Sequence, residues 1–166
     1  MDRKGIIHTF SYDNAEYLYA NINPSIKKRL ILQNREDRTG SLDKWMKSDP
    51  PSIFVSTAMS EGLDLKDDLC RYQIYLKMGF PNLSNPRVHH RKVVLHDEKW
   101  YWFQAIEDIE QASGRATRSK SDWSEMFVFD ASLTFLLTKY KRYFKNWFLD
   151  RIKRVRDVAS IHALAF

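Results

Sequence analysis

Apolar residues in this chain fall into short unbroken runs, separated by longer stretches where they recur every three or four positions. The runs are Gly5 to Phe10, Arg29 to Gln33, Ser52 to Thr57, Tyr72 to Met78 and Glu125 to Asp130. The first is rich in isoleucine and the third is β-branched and continuous, the pattern of a strand covered on both faces. Between them the helical spacing takes over. Ser11 and Asp13 offer N-cap oxygens for a helix from Ala15 to Ile22, stopped by Asn23-Pro24. Thr39 or Ser41 can cap a helix through Met46, ended before Asp49-Pro50-Pro51. His96-Asp97 opens a helix whose Trp100, Phe103, Ile106 and Ile109 or Glu110 share a face, with Gln111 at or near its end. From Leu133 to about Ala165 the chain is mostly helical, as one or two helices. Five continuous strands alternating with helices predict a single α/β domain with a doubly wound parallel sheet. In such sheets ligands sit beyond the carboxyl ends of the strands.

Length and composition narrow this picture. At 166 residues the chain fills one domain, and two would be cramped. Hydrophobic residues make up 43% and charged residues 29%, as in a globular protein, and no apolar run approaches a membrane span. Neither a signal-peptide core nor a cleavage site follows Met1, so no membrane partner is expected. Cys70 is the only cysteine, which excludes an internal disulfide and makes a reducing, cytoplasmic setting the simplest inference. The net charge of +6 favours polyanionic partners without identifying one.

The stretch with the most chemistry is Gln111-Ala112-Ser113-Gly114-Arg115-Ala116-Thr117-Arg118-Ser119, which reads Q-A-x-G-R-x-x-R. Arg115 and Arg118 are three apart and share a face on a helical turn. Two guanidinium forks aimed one way suit a polyphosphate, and Gly114 lets the backbone approach a ligand or a neighbouring element. Arginines so placed can stabilise charge on a transferring phosphoryl group. A basic helix end with solvated arginines is the alternative.

The order of the surrounding sequence favours the first reading. Ser60-Glu61-Gly62-Leu63-Asp64-Leu65 resembles helicase motif V, the Gln111 to Arg118 stretch resembles motif VI, and Ile6-Ile7-His8-Thr9-Phe10-Ser11-Tyr12 resembles motif IV. From about Lys4 to about Asp130 the chain is similar to the second motor domain of superfamily-two helicases, in the branch that includes the XPD and DinG helicases. The resemblance implies a RecA-like sheet flanked by helices spanning 1–166, with a basic helical tail at about 133–166. It implies that Arg115 and Arg118 contact ATP phosphates, with Arg118 as the arginine finger, and that Gln111 approaches the γ-phosphate and its water. Gly62 and Asp64, accompanied by Glu61, would link the nucleotide cleft to nucleic acid. Thr9, Ser11 and Thr57 stand where family members often touch the phosphate backbone of the bound strand. The expected strand is single-stranded nucleic acid, DNA in the first instance, with RNA left open. After motif VI the sequence departs from the family. Asp130-Ala131-Ser132 keeps the aspartate but lacks the arginine often found two positions later.

The phosphate loop G-x-x-x-x-G-K-[ST] and any D-E-x-H or D-E-A-D run are missing, and no Gly-Lys pair occurs. In the family these groups belong to the first motor domain and hold ATP and Mg²⁺. The chain therefore resembles half of an ATPase site, with the N-terminal motor domain expected in a longer or partner chain. The iron–sulfur cluster of some relatives needs four cysteines, so none is expected here.

Other groups point less far. His89, His90 and His96 lie near Arg87, Arg91 and Lys92, but without convergent carboxylates or cysteine they make a basic loop rather than a metal site. Trp100, Tyr101, Trp102 and Phe103 could stack on bases or fill the core. Between Lys139 and Arg156, basic residues interleave with Tyr140, Tyr143, Phe144, Trp147 and Phe148, fitting either an amphipathic helix or a phosphate-tracking surface. Besides the motor half, two readings remain: a non-enzymatic nucleic-acid-binding module with a helicase-like fold, and a free-standing nucleotide-binding regulator.

Overall fold

A computed structural model describes residues 3–57, 65, 67–117 and 121–154. The five apolar runs form five strands: β1 (Gly5–His8), β2 (Leu30–Leu32), β3 (Ile53–Ser56), β4 (Tyr72–Tyr75) and β5 (Glu125–Val128). All are parallel, in the order β2-β3-β1-β4-β5. Gly5 lies opposite Ile53 and Tyr72, and His8 opposite Ser56 and Tyr75, so the carboxyl ends of the three central strands are level. β1 and β3 are buried at every position, whereas the edge strands β2 and β5 are half-buried.

Seven α-helices accompany the sheet among the described residues. They are α1 (Tyr12–Asn21), α2 (Pro24–Lys27), α3 (Arg38–Lys47), α4 (Pro86–His89), α5 (Glu98–Arg115), α6 (Ala131–Lys139) and α7 (Asn146–Leu149). Side chains alternate along each strand, so Ile6, His8, Phe54, Gln73 and Tyr75 point to one face. On that face Trp45 of α3 packs with Ile6 and Phe54, while Ala105, Ile106, Ile109 and Ala112 of α5 pack with Tyr75 and Met78.

Several boundaries differ from the sequence expectation, each for a local reason. β1 stops at His8 because Phe10 turns the chain at φ 59°, and Ser11 then caps α1 by accepting from the Asn14 amide at 3.1 Å. The cap of α3 is Asp37, which accepts from the Gly40 amide at 2.8 Å. Thr39 and Ser41 lie inside the helix, and the Ser41 hydroxyl donates back to Arg38 O. α5 is capped by Asp97 and runs on through Arg115, so Gln111 is a turn inside it. The chain after Leu133 is not one continuous helix: α6 ends at Lys139, a 3₁₀ turn covers Lys141–Tyr143, and α7 has four residues. A π-helical turn, His90–Val94, joins α4 to α5 where only a polar stretch was expected.

Two charges, buried Lys4 and half-buried Asp130, hold helix ends. Lys4 is 4% exposed, and its Nζ donates to the carbonyls of Trp45, Met46 and Ser48, where the α3 dipole is negative. Asp130 caps α6 through the Ser132 amide at 2.7 Å and also accepts from the buried Met78 amide at 2.7 Å. Burial opposes ionisation of Asp130, but these amides and the Lys77 charge outweigh it and hold the carboxyl below its usual range. Its stabilising contribution is therefore present above the unfolded carboxylate pKa, near 3.9, and is lost as pH falls through the depressed folded value. We expect Asp130→Ala to lower unfolding free energy by about 1–3 kcal/mol, the loss of one cap and one buried acceptor. Urea denaturation at pH 7 checks this, and the difference from wild type should shrink towards pH 2.

Candidate functional site

At the carboxyl edge of the sheet, three strand exits are tied together by short polar groups. Thr9 follows β1; its amide donates to Ser56 O at 2.9 Å, and its hydroxyl lies 3.1 Å from Ser56 O and 3.0 Å from Ser11 O. The positive φ of Phe10 turns the chain there, and Asn14 Nδ2 donates to Thr9 O at 2.9 Å. Thr57 follows β3, and its amide and hydroxyl both donate to Gln33 Oε1, at 2.8 and 3.1 Å. The Ser56 hydroxyl meets the same oxygen at 3.3 Å. Gln33 follows β2 and was not singled out in the sequence; only the folded pairing of β2 with β3 reveals it. The hydroxyls of Thr9 and Thr57 thus bond inward. The Ser11 hydroxyl accepts from the Asn14 amide.

The second part of the site is the last turn of α5. Gln111 is exposed, Ala112 is buried, and Arg115 is half-buried. A Cβ on Gly114 would meet nothing within 4 Å among the described residues, so no neighbouring element demands glycine there. α5 ends at Arg115 with Ala116 as its C-cap. Arg118 lies outside the described residues, as do Glu61, Gly62 and Asp64. A helix C-terminus is the negative pole of its dipole and repels anions, so any phosphate recognised here depends on arginine charge.

His8 lies between the two parts. Its ring stacks on Tyr75 with centroids 4.3 Å apart, and its Nε2 is 3.4 Å from Gln73 Oε1. Burial holds its pKa down to about 4; the Gln73 bond opposes this, and the nearby Arg115 charge lowers it further. That charge also reaches Tyr75, whose hydroxyl is pushed well above its usual range, chiefly by burial. Gln73 also donates to Ala112 O at 3.3 Å, so the fold brings the turn that carries Arg115 towards the base of the Thr9 loop.

The helicase C-terminal domain family matches residues 1–151. This chain belongs to that family. The helicase domain is 27% identical over 121 residues to a Fanconi anemia group J protein homolog from Gallus gallus, covering 64% of this chain and 10% of that protein. It is 26% identical over 136 residues to a regulator of telomere elongation helicase 1 homolog from Drosophila melanogaster, covering 70% of this chain and 14% of that protein. The chain thus spans a small fraction of the curated relatives it matches. Its fold is similar to the solved structure of S. tokodaii Xpd4, with a TM-score of 0.55 and 17% identity over 88% of this chain and 29% of that one. The chain is thus a helicase C-terminal domain with a fold similar to that of Xpd4. The family implies ATP use and nucleic-acid binding in general.

Remaining candidates in the helicase domain have structural partners. Tyr101 is buried, and Trp102 packs against Phe80, Phe135 and Tyr140. Arg91 pairs with Asp97 at 2.9 Å and lies over Trp100, and Lys92 lies 3.7 Å from the Tyr101 ring centroid. Lys145 donates its amide to Glu110 Oε1 and pairs with that carboxylate through Nζ at 3.3 Å, docking the tail on α5. Cys70 is buried and its thiol is pushed up to about 12, so it remains a protonated core residue. Among the described residues no three His, Cys, Asp or Glu side chains come together to hold a metal, and no helix is long and apolar enough to cross a membrane.

The buried His8 gives the domain an acid-sensitive stability. Its folded pKa near 4 lies below the ordinary 6.5, so its contribution is complete above about pH 6.5 and is lost as pH falls through 4. We expect His8→Phe, which can keep the stack on Tyr75, to flatten the fall in stability between those values. Denaturant midpoints at pH 7, 5.5 and 4.5 check this.

Proposed function

We propose that this domain serves an ATP-driven translocase on single-stranded DNA. In this reading Arg118 is the arginine finger, Arg115 holds phosphate beside it, and Gln111 orients the γ-phosphate and its water. Glu61, Gly62 and Asp64 link the nucleotide cleft to the strand. Ser11 offers its hydroxyl proton to the strand, while Thr9 and Thr57, bonded inward, fix the shape of the loops that meet it. The observation that carries the reading is the meeting of two motif-bearing regions on one sheet: His8, directly before the Thr9 loop, and Ala112, in the turn that carries Gln111 and Arg115, both bond to Gln73.

The residues present fit a polyphosphate in part. Gln111 is exposed, nothing described crowds Gly114, and Arg115 supplies a guanidinium at a helix end that would otherwise repel anions. Mg²⁺ has no ligand set among the described residues, and the reading gives it, with the phosphate loop, to the N-terminal motor domain. The family's iron–sulfur cluster also has no place in a chain with a single cysteine. ATP supplies the free energy of phosphoryl transfer; this half contributes positive charge where the transition state gathers negative charge. The setting is read as cytoplasmic.

The isolated chain should bind ATP weakly and not hydrolyse it, because the other half of the site is elsewhere. In the two-domain protein, Arg118→Ala should lower steady-state ATPase by ~10³-fold or more, and Arg118→Lys should restore little. The assay uses saturating single strand beside a thermal melt of each variant; a folded Arg118→Ala protein with near-normal turnover would show that Arg118 is not the finger.

Strand binding by this half should be sequence-independent and salt-sensitive. Each phosphate neutralised is expected to contribute about −0.7 to the slope of log K against log salt. Fluorescence anisotropy between 50 and 200 mM salt, roughly the range over which such binding falls steeply, measures the slope. A flat dependence, or no binding even at low salt, would count against a strand-tracking surface here.

A further inference from the structure

Gln73 lies in the middle of the sheet, on β4, and is 1% exposed. An apolar side chain would fill that position without any need for partners. The glutamine instead uses both ends of its amide. Its Nε2 donates to Ala112 O at 3.3 Å, and its Oε1 faces His8 Nε2 at 3.4 Å and the Tyr75 hydroxyl at 3.5 Å. The Ala112 carbonyl is one of the last four of α5, which lack regular helical donors. The residue four further on, Ala116, sends its amide to Gly114 O instead. Gln73 therefore caps an otherwise orphaned carbonyl in the turn that carries Gln111 and Arg115.

The chemistry of that contact fixes the rest. A carbonyl can only accept, so the NH₂ end of Gln73 must face Ala112, and its oxygen must face His8. His8 then has to present Nε2 as a donor, which sets the tautomer of the neutral ring. His8 is the last residue of β1, and the next residue is Thr9. A line of hydrogen bonds thus runs from the root of the strand-contacting loop, through Gln73, to the backbone of the arginine-bearing turn.

We propose that Gln73 is a positioning residue that couples occupancy of the Thr9 loop to the placement of the Arg115 turn, so that strand binding raises ATP turnover through the His8–Gln73–Ala112 line. This rests on the function proposed above. It deepens that reading by naming a buried residue that touches neither ligand.

The test uses the two-domain protein and compares wild type with Gln73→Leu, His8→Phe and the double variant. Thermal melts, single-strand affinity without nucleotide, and ATPase with and without a dT oligonucleotide are measured for each. We expect Gln73→Leu to fold and to bind strand as wild type does. The ratio of strand-stimulated to basal turnover should fall about tenfold, within the usual range of coupling between sites. His8→Phe breaks the same line at its other end and should lower the same ratio, and the double variant should be no worse than the more affected single one. If Gln73→Leu fails to fold, His8→Phe carries the measurement. A merely structural role would lower basal and stimulated turnover by one factor and leave their ratio unchanged, which overturns the inference alone. A wild-type protein with no strand-stimulated turnover would instead sink the proposed function and this coupling together.

Discussion

β1 is four residues long, paired on both sides and covered on both faces, and most of the domain is arranged to make that possible. A strand so placed has no water to satisfy its polar groups, so every one needs a partner inside the protein. Lys4, at its entrance, meets this by turning its ammonium onto the end of α3. His8, at its exit, stays neutral and meets it at Nε2 by facing Gln73, while its buried Nδ1 has no hydrogen-bond partner among the described residues. Thr9 meets it through the Ser56 carbonyl. The polar residues around the central strand are therefore compelled by its burial, and their partners lie on α3, β3 and β4.

The same requirement explains why the edges are simpler. β5 pairs only with β4 and is half-buried, and its exit is held by Asp130 binding one amide before α6 and one inside it. The aspartate that keeps its place in the family pattern thus has a structural task in this chain, whether or not an arginine stands two positions later. The tail behaves alike. Its aromatic residues cover α5, and Lys145 is drawn to Glu110, so its sequence is governed by docking and not by helical periodicity.

Much of the fold was legible because it depends on local pattern. Ile53-Phe54-Val55 cannot be other than interior, and the spacing of Ile106 and Ile109 marks a helix face whatever lies opposite. What could not be read depends on partners far away in the chain. Gln73 and His8 are 65 positions apart, and Gln33 and Thr57 are 24 apart, so neither pair has a local signature. Thr39 and Ser41 were the caps expected, and only the backbone reveals that Asp37 precedes the helix while both of them lie inside it. The tail was read as helix because aromatic and basic residues alternate in a helix-like way. Tyr140, with φ −125°, ends α6, and docking on α5 sets the path thereafter. The contact of the Ala112 turn with Gln73 likewise follows from the path of α5 over the sheet, which no spacing within Gln111 to Arg118 encodes.

Gln33 has a bearing on solubility. Its oxygen faces Ser56 and Thr57, and its own amide bonds to Val55 O, so one residue fastens the exit of a three-residue edge strand to its neighbour. Without that fastening β2 could peel away, and β3 would become the edge. A flat, wholly apolar Ile-Phe-Val strand with open backbone groups is a template for pairing with other chains. The glutamine thus helps to hold β2 over the flank of β3, where such pairing would otherwise be open.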